Sequence, residues 1–127
     1  VGCATLAASH LRSPRPVAPL VEEFERGALI DTASRIGLDV TELRAGVPTD
    51  LARWASRLGV TQIATSYIPI GPLRDWIFEA MPSLEEAGID LVEWRRDWDS
   101  AIWPHATAGF FKVKKQIPAI MEGIGLI

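Results

Sequence analysis

Apolar residues recur over residues 20–36 as Leu20, Phe24, Ile30, Ala33 and Ile36, a spacing that gathers them on one face of a helix. Gly37 follows where a helix end favours a left-handed backbone. The run LDVTEL, residues 38–43, then reads as a strand, and RAGVPTD, residues 44–50, turns the chain. Thr49 or Asp50 is expected to cap the next helix, 51–59, whose buried stripe is Leu51, Trp54, Ala55 and Leu58 and whose stop is Gly59. VTQIATS, residues 60–66, is the next predicted strand. Pro72 suits a first helical position, and the helix it opens is expected to be kinked or divided at Pro82. IDLVEW, residues 89–94, makes a further strand. At the start of the chain, VGCATLAAS reads as a strand in a fragment, and the proline-rich residues 11–19 as a turn. Residues 97–127 show no clean period and read as an extended connection ending in an apolar tail.

The segments ASRIGLDVTEL and ASRLGVTQIAT, 22 residues apart in the chain, repeat one event: a helix ends at glycine and passes directly into a strand. Strands alternating with helices imply a mostly parallel sheet, because each parallel return needs a crossover. The expected fold class is therefore α/β, a Rossmann-like three-layer sandwich with helices on both faces of the sheet. The whole of 1–127 is expected to form a single domain, with an atypical start at 1–19 and a linker-like segment at 97–127.

Composition narrows the function. A net charge of −3 and a pI near 5.3 supply no basic field for a phosphate backbone, so no direct nucleic-acid binding is expected. The lone cysteine, Cys3, excludes an internal disulfide and a cysteine metal cluster, and fits a cytoplasmic location. His10 and His105 lie far apart without a second ligand at metal spacing, so no metal is expected. Charge or proline interrupts every apolar run before it reaches membrane-spanning length. No nucleophile elbow, phosphate-binding loop or dinucleotide fingerprint is present, and no catalytic residue is assigned.

Ligands of open parallel sheets sit beyond the carboxyl ends of strands, which directs attention to RAGVP and SYIPIGPLRD. Gly46 and Pro48 form a Gly-x-Pro turn after one strand, Leu58 and Gly59 end a helix, and Tyr67, Pro69, Arg74 and Asp75 form Tyr-x-Pro-x-x-x-x-Arg-Asp after the next strand. In order and spacing this succession resembles the antenna-side α/β domain of the DNA photolyase and cryptochrome family. A weaker likeness extends to residues 87–89 and to GFFKVKKQIP, so that roughly residues 20–118 are covered.

The resemblance implies a non-catalytic domain of a DNA-repair or light-sensing flavoprotein. It would support a separate helical FAD-binding domain, of the same or a neighbouring chain, and hold an antenna chromophore such as reduced folate, FMN or a deazaflavin. The parent protein would be a deoxyribodipyrimidine photolyase, a carbon–carbon lyase, or a cryptochrome relative. The cofactor-binding residues implied are Arg44, Gly46, Ser66, Tyr67, Pro69, Arg74 and Asp75. The chain departs from the family pattern in three places: residues 1–19 lack the usual Arg-Arg-Asp-Leu-Arg type turn, ATS precedes Tyr67, and Ile68 stands where an acidic residue is common. These departures fit a domain serving mainly as scaffold.

Each candidate also has a plainer reading. Tyr67 can cover a sheet edge, Asp75 can complement the helix dipole, Arg74 can pair locally, and Gly46 and Pro48 can simply shape a turn. Trp54 and Trp76 fall on helical apolar faces and are expected in the core. Trp94, Trp98, Trp103, Phe110 and Phe111 crowd an aperiodic region and are expected to dock onto another domain, whereas Lys112, Lys114 and Lys115 read as a solvated face. The alternative function is a small nucleotide-binding or regulatory α/β module that dimerises through this aromatic C-terminal stretch. An independent hydrolase has only the fold class in its favour.

Overall fold

The computed structural model describes all 127 residues, Val1–Ile127. The chain is mixed α/β and divides into two compact units, Val1–Val92 and Glu93–Ile127. In the first, strand β1 (Cys3–Ala7) is followed by a short 3-10 turn at Ser9–Arg12 and helix α1 (Pro19–Ser34). Strand β2 (Val40–Arg44) then leads to helix α2 (Thr49–Arg57), strand β3 (Gln62–Ser66), helix α3 (Pro72–Glu86) and strand β4 (Asp90–Trp94). The last two residues of β4 open the second unit.

The strands form two small parallel sheets, β1 with β2 and β3 with β4, each pair joined through a helical crossover. Cys3 is opposite Val40 and Ala7 is opposite Arg44, and the pairing continues past the strand where the Ala45 N–H donates to the Ala7 carbonyl at 2.8 Å. In β3 and β4 alternate residues are sheltered: in β3, Ile63 and Thr65 are sheltered while Gln62, Ala64 and Ser66 are exposed. That is the period of a strand with one face covered.

The core lies where α2 and α3 pack together over the sheets. Leu51, Trp54 and Ala55 from α2 meet Trp76, Ile77, Ala80 and Leu84 from α3, with Ala4 and Leu6 of β1 and Ile63 of β3 against them. Small residues at the centre let the helices approach closely: Ala55 and Ala80 are completely buried. The predicted stripe of α2 is buried except for Leu58, which stands exposed at the helix end.

Several expectations change. Neither Thr49 nor Asp50 caps α2; both lie within its first turn and accept from the Arg53 guanidinium, Asp50 Oδ1 at 2.6 Å. Helix α3 is not divided at Pro82, since the helix runs unbroken through it. The proline leaves the Phe78 carbonyl without its usual intrahelical donor. The face predicted for α1 is largely exposed: Ala33 is buried, whereas Leu20 and Phe24 are 77% and 79% exposed.

Residues 97–127 are not an extended connection. Three short helices, α4 (Asp97–Ile102), α5 (Gly109–Lys114) and α6 (Ile117–Gly123), make up most of them, with a 3-10 turn at Trp103–His105 between the first two. Within this unit α4 packs on α6, Ile120 is buried, and the Arg95 guanidinium lies over the Trp103 ring at 5.4 Å. None of these helices exceeds two turns, which is why a helical period was not visible in the sequence.

Candidate functional site

A cleft of about 450 Å³ lies in the first unit, bordered by Cys3–Leu6 of β1 and by Ile63–Ser66 of β3, one strand from each sheet. Leu29, Ala33 and Ile36 reach it from α1 and the turn that follows, and Leu51, Trp54, Leu73 and Ile77 from α2 and α3. Ala4, Ala33 and Ala64 leave the room: longer side chains at those three wall positions would occupy it. No Asp, Glu, Lys, Arg or His side chain lines the cleft. Its polar groups are hydroxyls, the Cys3 thiol and the indole of Trp54.

The Trp54 Nε1–H is buried without a hydrogen-bond partner. Leaving such a donor unsatisfied costs roughly 1–3 kcal/mol. The contrast with Trp76 is direct, because the Trp76 Nε1–H donates to the Gly46 carbonyl at 2.9 Å. Both rings serve the core as the sequence predicts, but only Trp76 has its polar atom paired.

The structure divides the seven residues implied by the resemblance. Ser66, Tyr67 and Pro69 line the cleft at the carboxyl end of β3. Arg74 does not line it; its guanidinium donates through Nε to the Ile68 carbonyl at 3.0 Å, with Nη2 on the same oxygen, and stacks between Tyr67 and Phe78 at 5.6 and 5.8 Å. It therefore shapes the Tyr67–Pro69 turn from behind. Asp75 is exposed in the first turn of α3, where its charge complements the helix N-terminus. Gly46 supports Trp76 through its carbonyl, and Arg44 pairs with Glu22 at 3.3 Å across the end of β2.

Arg44 borders a second cavity, of about 250 Å³, shared with Ser9, His10, Glu25, Arg26 and Glu42. Here the Glu25 carboxylate of α1 accepts the backbone N–H groups of Ala8 and Ser9 at 3.2 and 3.0 Å. His10 Nε2 donates to the Ala45 carbonyl at 2.9 Å, since a carbonyl oxygen only accepts. Partial burial works against ionisation of Glu25, yet the Ser9 and Ala8 hydrogen bonds and the nearby Arg12 charge outweigh it, and its pKa is lowered. Arg26 and Glu42 form a forked ion pair beside it, at 2.5 and 2.8 Å. Every strong donor of this cavity is thus engaged within the chain.

The sequence reading missed the Trp54 wall, the β1 side of the cleft and Glu25. It looked beyond the strand ends, whereas the cleft runs along the strands; the alanines at mid-strand were the available signal. No group of three or more His, Cys, Asp and Glu side chains is placed to hold a metal ion, and no helix is long and apolar enough to cross a membrane. Comparison with known protein families, curated proteins and solved structures finds no match.

Proposed function

We propose that this chain is a non-catalytic α/β domain that holds an uncharged, planar heteroaromatic ligand in the cleft between β1 and β3. The observation that carries this reading is the cleft itself, about 450 Å³ with a mostly apolar wall and no ionisable side chain other than Cys3 and Tyr67. Ligand sites are concave, mostly apolar and oriented by a few polar groups. Hydroxyls of Thr5, Thr65 and Ser66 offer polar contacts, and Tyr67 offers a face to stack on.

The sequence resemblance gives the ligand a role. In that reading the domain is the antenna side of a photolyase or cryptochrome-like flavoprotein. The bound chromophore passes excitation energy to FAD held by a separate helical domain of the same or a neighbouring chain. The two small sheets then make up the middle layer of a three-layer sandwich, with the ligand lying between β1 and β3 where the sheets are not paired.

The charge of the wall discriminates among the chromophores. Burying an unpaired phosphate or carboxylate costs several kcal/mol, so such groups must stay in solvent. A neutral deazaflavin or riboflavin ring is favoured over FMN or reduced folate. The experiment is fluorescence titration of the purified protein with deazaflavin, riboflavin, FMN and reduced folate separately. Binding of the neutral rings, at least as tight as FMN and weakened about tenfold or more by Ala64→Leu, whose longer side chain fills part of the cleft, is the expected result. Failure of all four to bind removes the ligand-holding role.

A further inference from the structure

The cleft is bordered by four consecutive residues from each of two strands, 3–6 of β1 and 63–66 of β3. Successive side chains of a strand point to opposite faces, so a cavity over one face of a sheet does not touch all four. This one lies alongside the strands, at the edges of β1 and β3 that are not paired with each other. What such an edge offers is backbone. The Ala45 N–H donates to the Ala7 carbonyl, which turns the backbone groups of Ala7, Thr5 and Cys3 toward β2 and leaves those of Ala4 and Leu6 on the other edge. On the facing strand, the Asp90 N–H donates to the Thr61 carbonyl at 2.9 Å. By the same alternation Ile63 and Thr65 turn toward β4, and Ala64 and Ser66 present their N–H and C=O groups on the edge away from it. Among mostly apolar side chains, these groups give the cleft a directional polar pattern.

We propose that the open backbone edges of β1 and β3 select the ligand of this cleft, and that they take a ring bearing a cyclic amide, an N–H beside a C=O. The inference rests on the ligand-holding role given to the cleft above. An extended residue carries its N–H and C=O side by side on one edge, and in an antiparallel pair two such residues exchange both bonds. A cyclic amide holds the same two groups side by side in the plane of its ring, so it takes the place of the second residue. It brings no charge, which the apolar wall disfavours, and it is already rigid, so little freedom is lost on binding. The class so defined includes flavin, deazaflavin and pterin rings. It excludes planar rings whose amide hydrogen is replaced by an alkyl group, because a site built to hydrogen-bond an N–H rejects the analogue lacking it.

The test compares riboflavin with riboflavin methylated at its ring N–H, reading affinity by fluorescence and amide hydrogen exchange by NMR on the full chain. In the free protein the amides of Ala4, Leu6, Ala64 and Ser66 should exchange faster than those of Thr5 and Ile63, which face paired strands. Saturating riboflavin should slow at least one of the four about tenfold or more, with a smaller change at Thr5 and Ile63, and the methylated ring should bind about tenfold or more weakly. Riboflavin binding that slows none of the four amides would overturn the inference and leave the cleft standing as a ligand site. Equal affinity of the two rings would do the same. Exchange of the four amides as slow as that of Thr5 and Ile63 in the free protein would show the edges already paired and overturn it before any ligand is added. Failure of both rings to bind would remove the ligand-holding role and this inference with it.

Discussion

Glu25 shows how one side chain fixes the approach of a helix to a strand end. Its carboxylate receives two backbone N–H groups from the turn after β1, and both residues of that turn, Ala8 and Ser9, are buried. Glu25→Ala leaves two donors without a partner and should cost about 1.5–3 kcal/mol in chemical denaturation. Glu25→Gln, which keeps an acceptor, should cost less. Because the pKa of Glu25 is lowered in the folded chain, its contribution is complete above the ordinary carboxylate value. It is lost as pH falls through the lowered one. The difference in midpoint between wild type and Glu25→Gln should therefore shrink as the solution is acidified, and a difference that grows would contradict the assignment. Arg74 acts in a similar way on the other half of the unit, holding the Tyr67–Pro69 turn through the Ile68 carbonyl. Arg74→Ala should weaken cleft binding without removing any cleft-lining atom, readable as lower affinity for the same ligand spectrum.

At the scale of elements, the helix stops are the best-supported inferences from sequence. Gly37 and Gly59 both adopt positive φ, 70° and 64°, as the repeated glycine-to-strand passage requires. A Cβ added at Gly59 meets nothing within 4 Å, so Gly59→Ala should cost only the backbone term, about 1–2 kcal/mol by thermal unfolding. Pro82 is the opposite case, a residue that opposes the helix containing it. Pro82→Ala should raise stability by up to about 3 kcal/mol, since it restores a donor for the Phe78 carbonyl. The elements of residues 1–94 were legible because each one carries its own period and stop. Which face of α1 is buried was not legible, because apolar spacing records that a face exists and not what covers it. Caps fail for a related reason: Thr49 and Asp50 are of capping type, but the helix begins one residue too early for Thr49 to serve and two too early for Asp50.

For the whole molecule, the α/β class followed from the alternation of elements, whereas the separation of the strands into two pairs did not. Pairing between distant strands leaves little trace in a single sequence, and mid-strand alanines such as Ala4 and Ala64 mark space only after the strands are placed. The candidate site was half legible for the same reason. Ser66, Tyr67 and Pro69 were placed by the rule of strand ends, and the opposite wall, from β1 and Trp54, required the fold. The account stands on that wall accepting a neutral ring. The most direct test is a methyl-resolved NMR titration of the protein with riboflavin. Shifts concentrated on Ala4, Ile63, Ala64 and Ile77, with the exposed Leu20 and Ile127 unmoved, are the predicted result. Saturable shifts confined to other methyls, or none at all, would contradict it.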